Sequence, residues 1–141
     1  MNVSSVMTPN PACCIATTPL RDVAKMMLDN DCGQIPVVDE SQRPIGVVTD
    51  RDIAVRIVAE GRDASQAKAA DAMSMPVRTV TADTSLKDAV CVMEADQIRR
   101  VPVVDSDGKL AGIVSIADLA LANRPEATAE VVREVSEPAR H

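Results

Sequence analysis

One stretch of this chain is written twice. The segment IPVVDESQRPIGVVTDRDI (35–53) returns as VPVVDSDGKLAGIVSIADL (101–119), at a constant offset of 66 residues and without a gap. The same offset carries Met7 to Met73, Leu20 to Leu86, Asp22 to Asp88 and Met27 to Met93. Near the start of each copy the best match slips by one residue, pairing Ile15 with Val80. A repeat of roughly 55 residues buries too little surface to be stable alone. The two copies are therefore expected to pack face to face with pseudo-two-fold symmetry. The reading divides the chain into a first repeat (1–60), a connector with a short helix (61–72), a second repeat (73–124) and a C-terminal helix and tail (125–141).

Each copy predicts the order strand, helix, strand, strand, helix, an α/β (α+β) fold of two β-α-β-β-α repeats. Cys13–Ala16 and Arg78–Thr81 read as short first strands. Thr18 then caps a helix with Pro19 at its first position. The apolar residues Leu20, Val23, Ala24, Met27 and Leu28 follow helical spacing. The second copy repeats this with Leu86, Ala89, Val90 and Met93, and spaces Ser85 and Asp88 as a capping box. Two β-branched runs, Ile35–Val38 and Ile45–Thr49, flank a polar connector that reads as a hairpin turn; Asp107-Gly108 marks its counterpart. A last helix begins near Asp50, carries Ile53, Ala54, Ile57 and Val58, and stops at Gly61. Residues 62–72 read as a polar linker ending in a short helix. A further helix after Pro125 would place Val131, Val132 and Val135 on one side.

Composition narrows the function. There are 15 Lys and Arg against 21 Asp and Glu, a net charge of −6, so the chain exerts no general pull on phosphate backbones. With no Phe, Tyr or Trp, no base can stack on an aromatic platform. Both facts argue against nucleic acid as a partner. No apolar run reaches the length of a membrane span, and the first residues lack a secretory signal, so the expected location is the cytoplasm, with no membrane partner. Cys13, Cys14, Cys32 and Cys91 form no CxxC pair, and the single histidine is His141. That spacing holds no zinc site, and the thiols read as packed small hydrophobes. Met26, Met27 and Met93 read as core.

Chemistry concentrates where the second hairpin strand meets the last helix. Gly46-Val47-Val48-Thr49-Asp50-Arg51-Asp52 corresponds to Gly112-Ile113-Val114-Ser115-Ile116-Ala117-Asp118. Each has a hydroxyl at the strand end and an aspartate three residues on. A carboxylate there can accept from two sugar hydroxyls, while hydroxyl and backbone donors suit a phosphate. The same residues also serve as plain helix caps, Thr49 and Ser115 accepting from the first turn and the aspartates favouring the dipole. Both readings stand at this point.

The combined motifs resemble the CBS domain, and the chain resembles a tandem CBS pair, or Bateman module. The likeness rests on Val6-Met7-Thr8-Pro9, Ile35-Pro36-Val37-Val38-Asp39 and Ile45–Ile53 in the first half. In the second half it rests on Asp71-Ala72-Met73, Arg99–Asp105 and Gly112–Leu119, so it covers about residues 3–122. The resemblance implies clefts that hold adenosine-type ligands such as AMP, ADP or ATP. It implies that Asp52 and Asp118 hold the ribose and that Thr49 and Ser115 contact ribose or phosphate. The base would lie against Ile15, Ala16, Ile35 and Pro36 in one site, and against Val80, Thr81, Val101 and Pro102 in the other. Arg51, Arg99 and Arg100 are the cations placed to reach phosphate. Arg99-Arg100 stands where the first copy has Gly33-Gln34, so unequal affinity for phosphorylated ligands is expected.

No nucleophile–base pair, phosphate loop or metal cluster is present in the sequence, so no enzyme, required cofactor or metal is expected. The leading expectation is a regulatory module that binds an adenine nucleotide and signals by a conformational shift. Its partners would be an effector protein and a second copy joined through CBS helices as a homodimer. The alternative is a dimerisation or interaction scaffold with empty clefts.

Overall fold

The computed structural model describes residues 1–122. The expected C-terminal helix bearing Val131, Val132 and Val135 lies outside them. Six strands and five α-helices follow one another: β1 (Thr8–Pro9), α1 (Leu20–Asn30), β2 (Gln34–Val38), β3 (Pro44–Thr49), α2 (Asp50–Ile53), α3 (Ala69–Ala72), β4 (Val80–Thr81), α4 (Leu86–Asp96), β5 (Arg100–Val104), β6 (Leu110–Ser115) and α5 (Ile116–Ala122). A 3-10 turn spans Val3–Ser5, and α2 runs on as a π-helical turn over Ala54–Val58. The mixed α+β class expected from the repeat is what the chain adopts.

The described residues form two compact units, one from 1–11 with 78–122, the other from 12–77. Repeat and packing unit are thus different divisions of the chain. Within the first unit, the sheet runs β1-β6-β5-β4, with β1 antiparallel to β6 and β4 parallel to β5. The Val3 N–H donates to Thr84 O at 2.9 Å and the Ser4 N–H to Ala82 O at 3.1 Å. Within the second unit, β2 and β3 pair, Ser74 bridges to Val47, and Cys14 bridges in parallel to Val37. There the Ala69 N–H donates to Thr18 O at 2.8 Å and the Ala70 N–H to Ala16 O at 3.0 Å. These bonds are the same ones, displaced by the repeat offset. Each unit is completed by a short N-terminal segment, 2–9 in one and 68–75 in the other.

Register follows the repeat residue by residue. Ile35 faces Val48 and Val37 faces Gly46; Val101 faces Val114 and Val103 faces Gly112, with a bulge after Val37 and Val103. The hairpin turns are alike. Asp39 Oδ1 accepts from the Ser41 and Arg43 N–H groups at 2.8 and 3.0 Å, and Asp105 Oδ1 from those of Asp107 and Lys109 at 2.9 and 3.0 Å. The left-handed turn position is Gly108 in one and Gln42 in the other. Gly46 and Gly112 are required by close approach: a Cβ on Gly46 would lie 2.8 Å from Ser74 O, and one on Gly112 2.9 Å from Thr8 O.

Several sequence expectations change. Cys14 pairs with Val37 as Val80 pairs with Val103, so Cys14 and not Ile15 is the counterpart of Val80. The offset therefore never slips. The first strand expected over Cys13–Ala16 is a single bridge. Thr18 does not cap α1, which starts at Leu20 behind Pro19; its hydroxyl accepts instead from the Ile15 N–H at 3.0 Å. Ser85 does cap α4, accepting from the Asp88 N–H at 3.1 Å. Leu28 and Ala24 are exposed, so the buried stripe of α1 narrows to Leu20, Val23 and Met27. The 62–72 connector is no mere linker, because Ala67, Ala69 and Ala72 are buried among Leu20, Val23, Ile35 and Ile57. The other core gathers Val3, Leu86, Met93, Val101, Val114 and Leu119. Burying each such aliphatic side chain stabilises by about 1.5–3 kcal/mol.

Candidate functional site: two hydroxyl–carboxylate boxes

At the end of β3 the Asp52 N–H donates to Thr49 Oγ1 at 3.0 Å, and the Thr49 N–H donates to Asp52 Oδ2 at 3.0 Å. At the end of β6 the Asp118 N–H donates to Ser115 Oγ at 3.1 Å, and the Ser115 N–H to Asp118 Oδ2 at 3.2 Å. Each pair is a reciprocal capping box that satisfies the first free amides of its helix. Capping leaves acceptor capacity, since a carboxylate offers about four lone-pair sites. All four residues are half-buried.

The surroundings differ. Ser74 Oγ donates to Asp52 Oδ1 at 3.2 Å, whereas no side chain among the described residues donates to Asp118 Oδ1. Gln34 faces Thr49 across the hairpin, and its buried amide oxygen has no donor among the described residues. Arg100 faces Ser115. The Arg56 guanidinium donates to Ala72 O at 3.2 Å and Met73 O at 2.6 Å, clamping the chain that leads to Ser74.

Ile15 and Ala16 follow Cys14 along β2, where the Cys14 N–H donates to Pro36 O at 3.0 Å and the Val38 N–H donates to Cys14 O at 2.8 Å. Ile15 is 51% exposed, while Ile35 and Pro36 are buried. In the other unit Val80, Val101 and Pro102 are buried and Thr81 is exposed. The Thr81 hydroxyl is tied locally to Asp83 and Thr84. Arg51 and Arg99 are exposed and Arg100 half-buried; none has an ion-pair partner among the described residues. Sequence spacing could reach the boxes and set Gln34 against Arg100, but not Ser74 or Arg56. Ser74 lies 22 residues from Asp52, and only strand pairing joins them.

All four cysteines are free thiols. Burial, with the neighbouring Cys13 charge adding, pushes the Cys14 thiol up to about 11, and burial raises Cys13. Both are protonated near neutrality and are weak nucleophiles. Among the described residues no cluster of His, Cys, Asp and Glu could hold a metal ion, and no helix is long and apolar enough to cross a membrane.

The CBS domain model matches the chain twice, over residues 3–59 and 69–124. The chain belongs to the CBS domain family. It is 38% identical over 120 residues to the CBS domain-containing protein YhcV of Bacillus subtilis, covering 85% of this chain and 84% of that one. It is 39% identical over 98 residues to protein MK0525 of Methanopyrus kandleri, of which the match spans only 50%. The crystal structure of Hypoxic Response Protein I with two coordinated zinc ions superposes with a TM-score of 0.80 at 32% identity, covering 89% of this chain and 100% of that one. The structure of CBSX2 in complex with AMP superposes at 0.75 with 28% identity, covering 86% and 95%. Both neighbours support the fold expected for a CBS pair.

Proposed function

We propose that this CBS protein is a non-catalytic regulatory module of the cytoplasm that binds an adenosine-type ligand at each hydroxyl–carboxylate box. AMP is the first candidate. The observation that carries the reading is the box itself. It occurs twice in one register, each time with a half-buried aspartate that keeps lone pairs for a sugar diol. The likeness to the AMP complex of CBSX2 supports the ligand class. Asp52 and Asp118 hold the ribose, Thr49 and Ser115 assist, and the base lies against Ile15, Ala16, Ile35 and Pro36 or against Val80, Thr81, Val101 and Pro102. The constant offset adds Cys14 and Ala82 to these walls. Arg100 opposite Ser115 favours phosphate, while Gln34 opposite Thr49 does not, and Arg51 and Arg99 are auxiliary cations. Ligand binding shifts a conformational equilibrium that an effector protein reads.

Calorimetric titration with AMP, ADP and ATP tests this on the wild type, Asp52→Ala and Asp118→Ala. Losing a charged acceptor weakens binding by about tenfold or more at the altered site. Asp118→Ala is expected to cost more for phosphorylated ligands than Asp52→Ala. Equal losses overturn the assignment of Arg100, and no binding to the wild type overturns the sensor reading.

A second reading, a homodimeric scaffold assembled through the helices, is favoured by Leu28 and Val58, which are 80% and 67% exposed. Sedimentation of Leu28→Glu and Val58→Glu variants tests it; an unchanged mass rejects it.

A further inference from the structure

We infer that Ser74 sets the affinity of the Asp52 site by competing with ligand for the carboxylate. This rests on the ribose-holding role proposed for Asp52. Oδ2 of Asp52 is committed to the Thr49 N–H, and Oδ1 receives the Ser74 hydroxyl at 3.2 Å. That distance is long for a bond between two oxygens, which is commonly near 2.7–2.8 Å. A sugar hydroxyl at ordinary distance makes the better bond at the same oxygen. Ser74 is thus an internal stand-in for the ribose, present when the site is empty and displaced when it fills.

The backbone of Ser74 is held in place. Its N–H donates to Val47 O at 2.8 Å and its carbonyl accepts from the Val47 N–H at 3.1 Å. Arg56 pins the two carbonyls before it. The hydroxyl must turn or the segment must shift, so the cost of displacement falls on binding. The other unit lacks this device. Thr8 holds the matching place on β1 opposite Ile113, yet its hydroxyl makes no bond to Asp118. Ala122 stands where the repeat offset places the counterpart of Arg56. The Asp118 site therefore has no internal competitor of this kind among the described residues.

The test isolates the Asp52 site in an Asp118→Ala background and titrates adenosine and AMP with and without Ser74→Ala. Removing one neutral hydrogen-bond competitor should tighten binding by about 2- to 10-fold, with the melting temperature unchanged. A residue that merely supports the site would weaken binding instead when removed. Unchanged or weaker binding in a folded variant overturns the inference. Ser74→Gly in the same background is a second variant that also removes the hydroxyl. It should tighten adenosine binding likewise, and unchanged or weaker binding there overturns the inference even if Ser74→Ala does not fold. Binding that Asp52→Ala abolishes but Ser74→Ala leaves alone sinks this inference only. No adenosine or AMP binding to the wild type sinks the site reading beneath it.

Discussion

The Asp52 and Asp118 boxes are one motif set in two environments. The reciprocal bonds agree within 0.2 Å, while the neighbouring side chains differ. One has Ser74 on its free oxygen and Gln34 across the hairpin; the other has Arg100 across the hairpin and no side-chain donor on that oxygen among the described residues. Duplication has kept the helix start, whose loss would cost about 0.5–2 kcal/mol in either copy. It has let the neighbours diverge, and these are the residues proposed to make the two sites unequal. The capping geometry common to both copies starts the helix in each, and the neighbours found in one copy only are what make the two boxes unequal.

The comparison can be broken most forcefully in the cores. Leu20 and Leu86 hold matching places, 1% and 3% exposed. Alanine at either should cost about 2–5 kcal/mol in denaturant unfolding. A large inequality would show that the units do not share load alike. Gly46→Ala and Gly112→Ala come next. Each new Cβ presses on a backbone oxygen, and overpacking of this kind costs about 1–3 kcal/mol. Thermal unfolding reads both, and a neutral result would mean the edge segments yield freely.

A smaller effect has the opposite sign. Gln42 sits at φ 67°, where its counterpart is Gly108 at φ 80°. Gln42→Gly should stabilise by about 1 kcal/mol, because a side chain at a left-handed position is strained. A loss of stability would deny that the two turns are equivalent.

The last effect is a slope with pH. Burial raises Cys14 from 9.0 to about 11. Between those values the folded chain keeps a proton that the unfolded chain has released, so stability falls as pH rises through that window. Val80 fills the matching place, so Cys14→Val should fold and lose this contribution to the slope. An unchanged slope from pH 9 to 11 in chemical unfolding would assign it elsewhere.

Much of this was readable in the residues. The offset predicted both hairpins, and the spacing of Thr49 to Asp52 and Ser115 to Asp118 predicted the boxes. What escaped was contact that self-similarity cannot see. Thr18 reads as a cap, but its hydroxyl accepts from the Ile15 amide instead. Residues 62–72 look solvated because alanine is small, yet alanine is what fits between Leu20 and Ile57. The partnership of Ser74 with Asp52 leaves no trace at any helical or strand period. A repeat also shows that two segments are alike without showing which body each joins.

That last point has a practical outcome. The straps at 2–9 and 68–75 each belong to the body encoded by the other half of the gene. A cut near Gly61 would yield two polypeptides, each holding the piece the other lacks. Neither should be sound alone, but mixed together they should recombine, making the chain a natural scaffold for split-protein complementation.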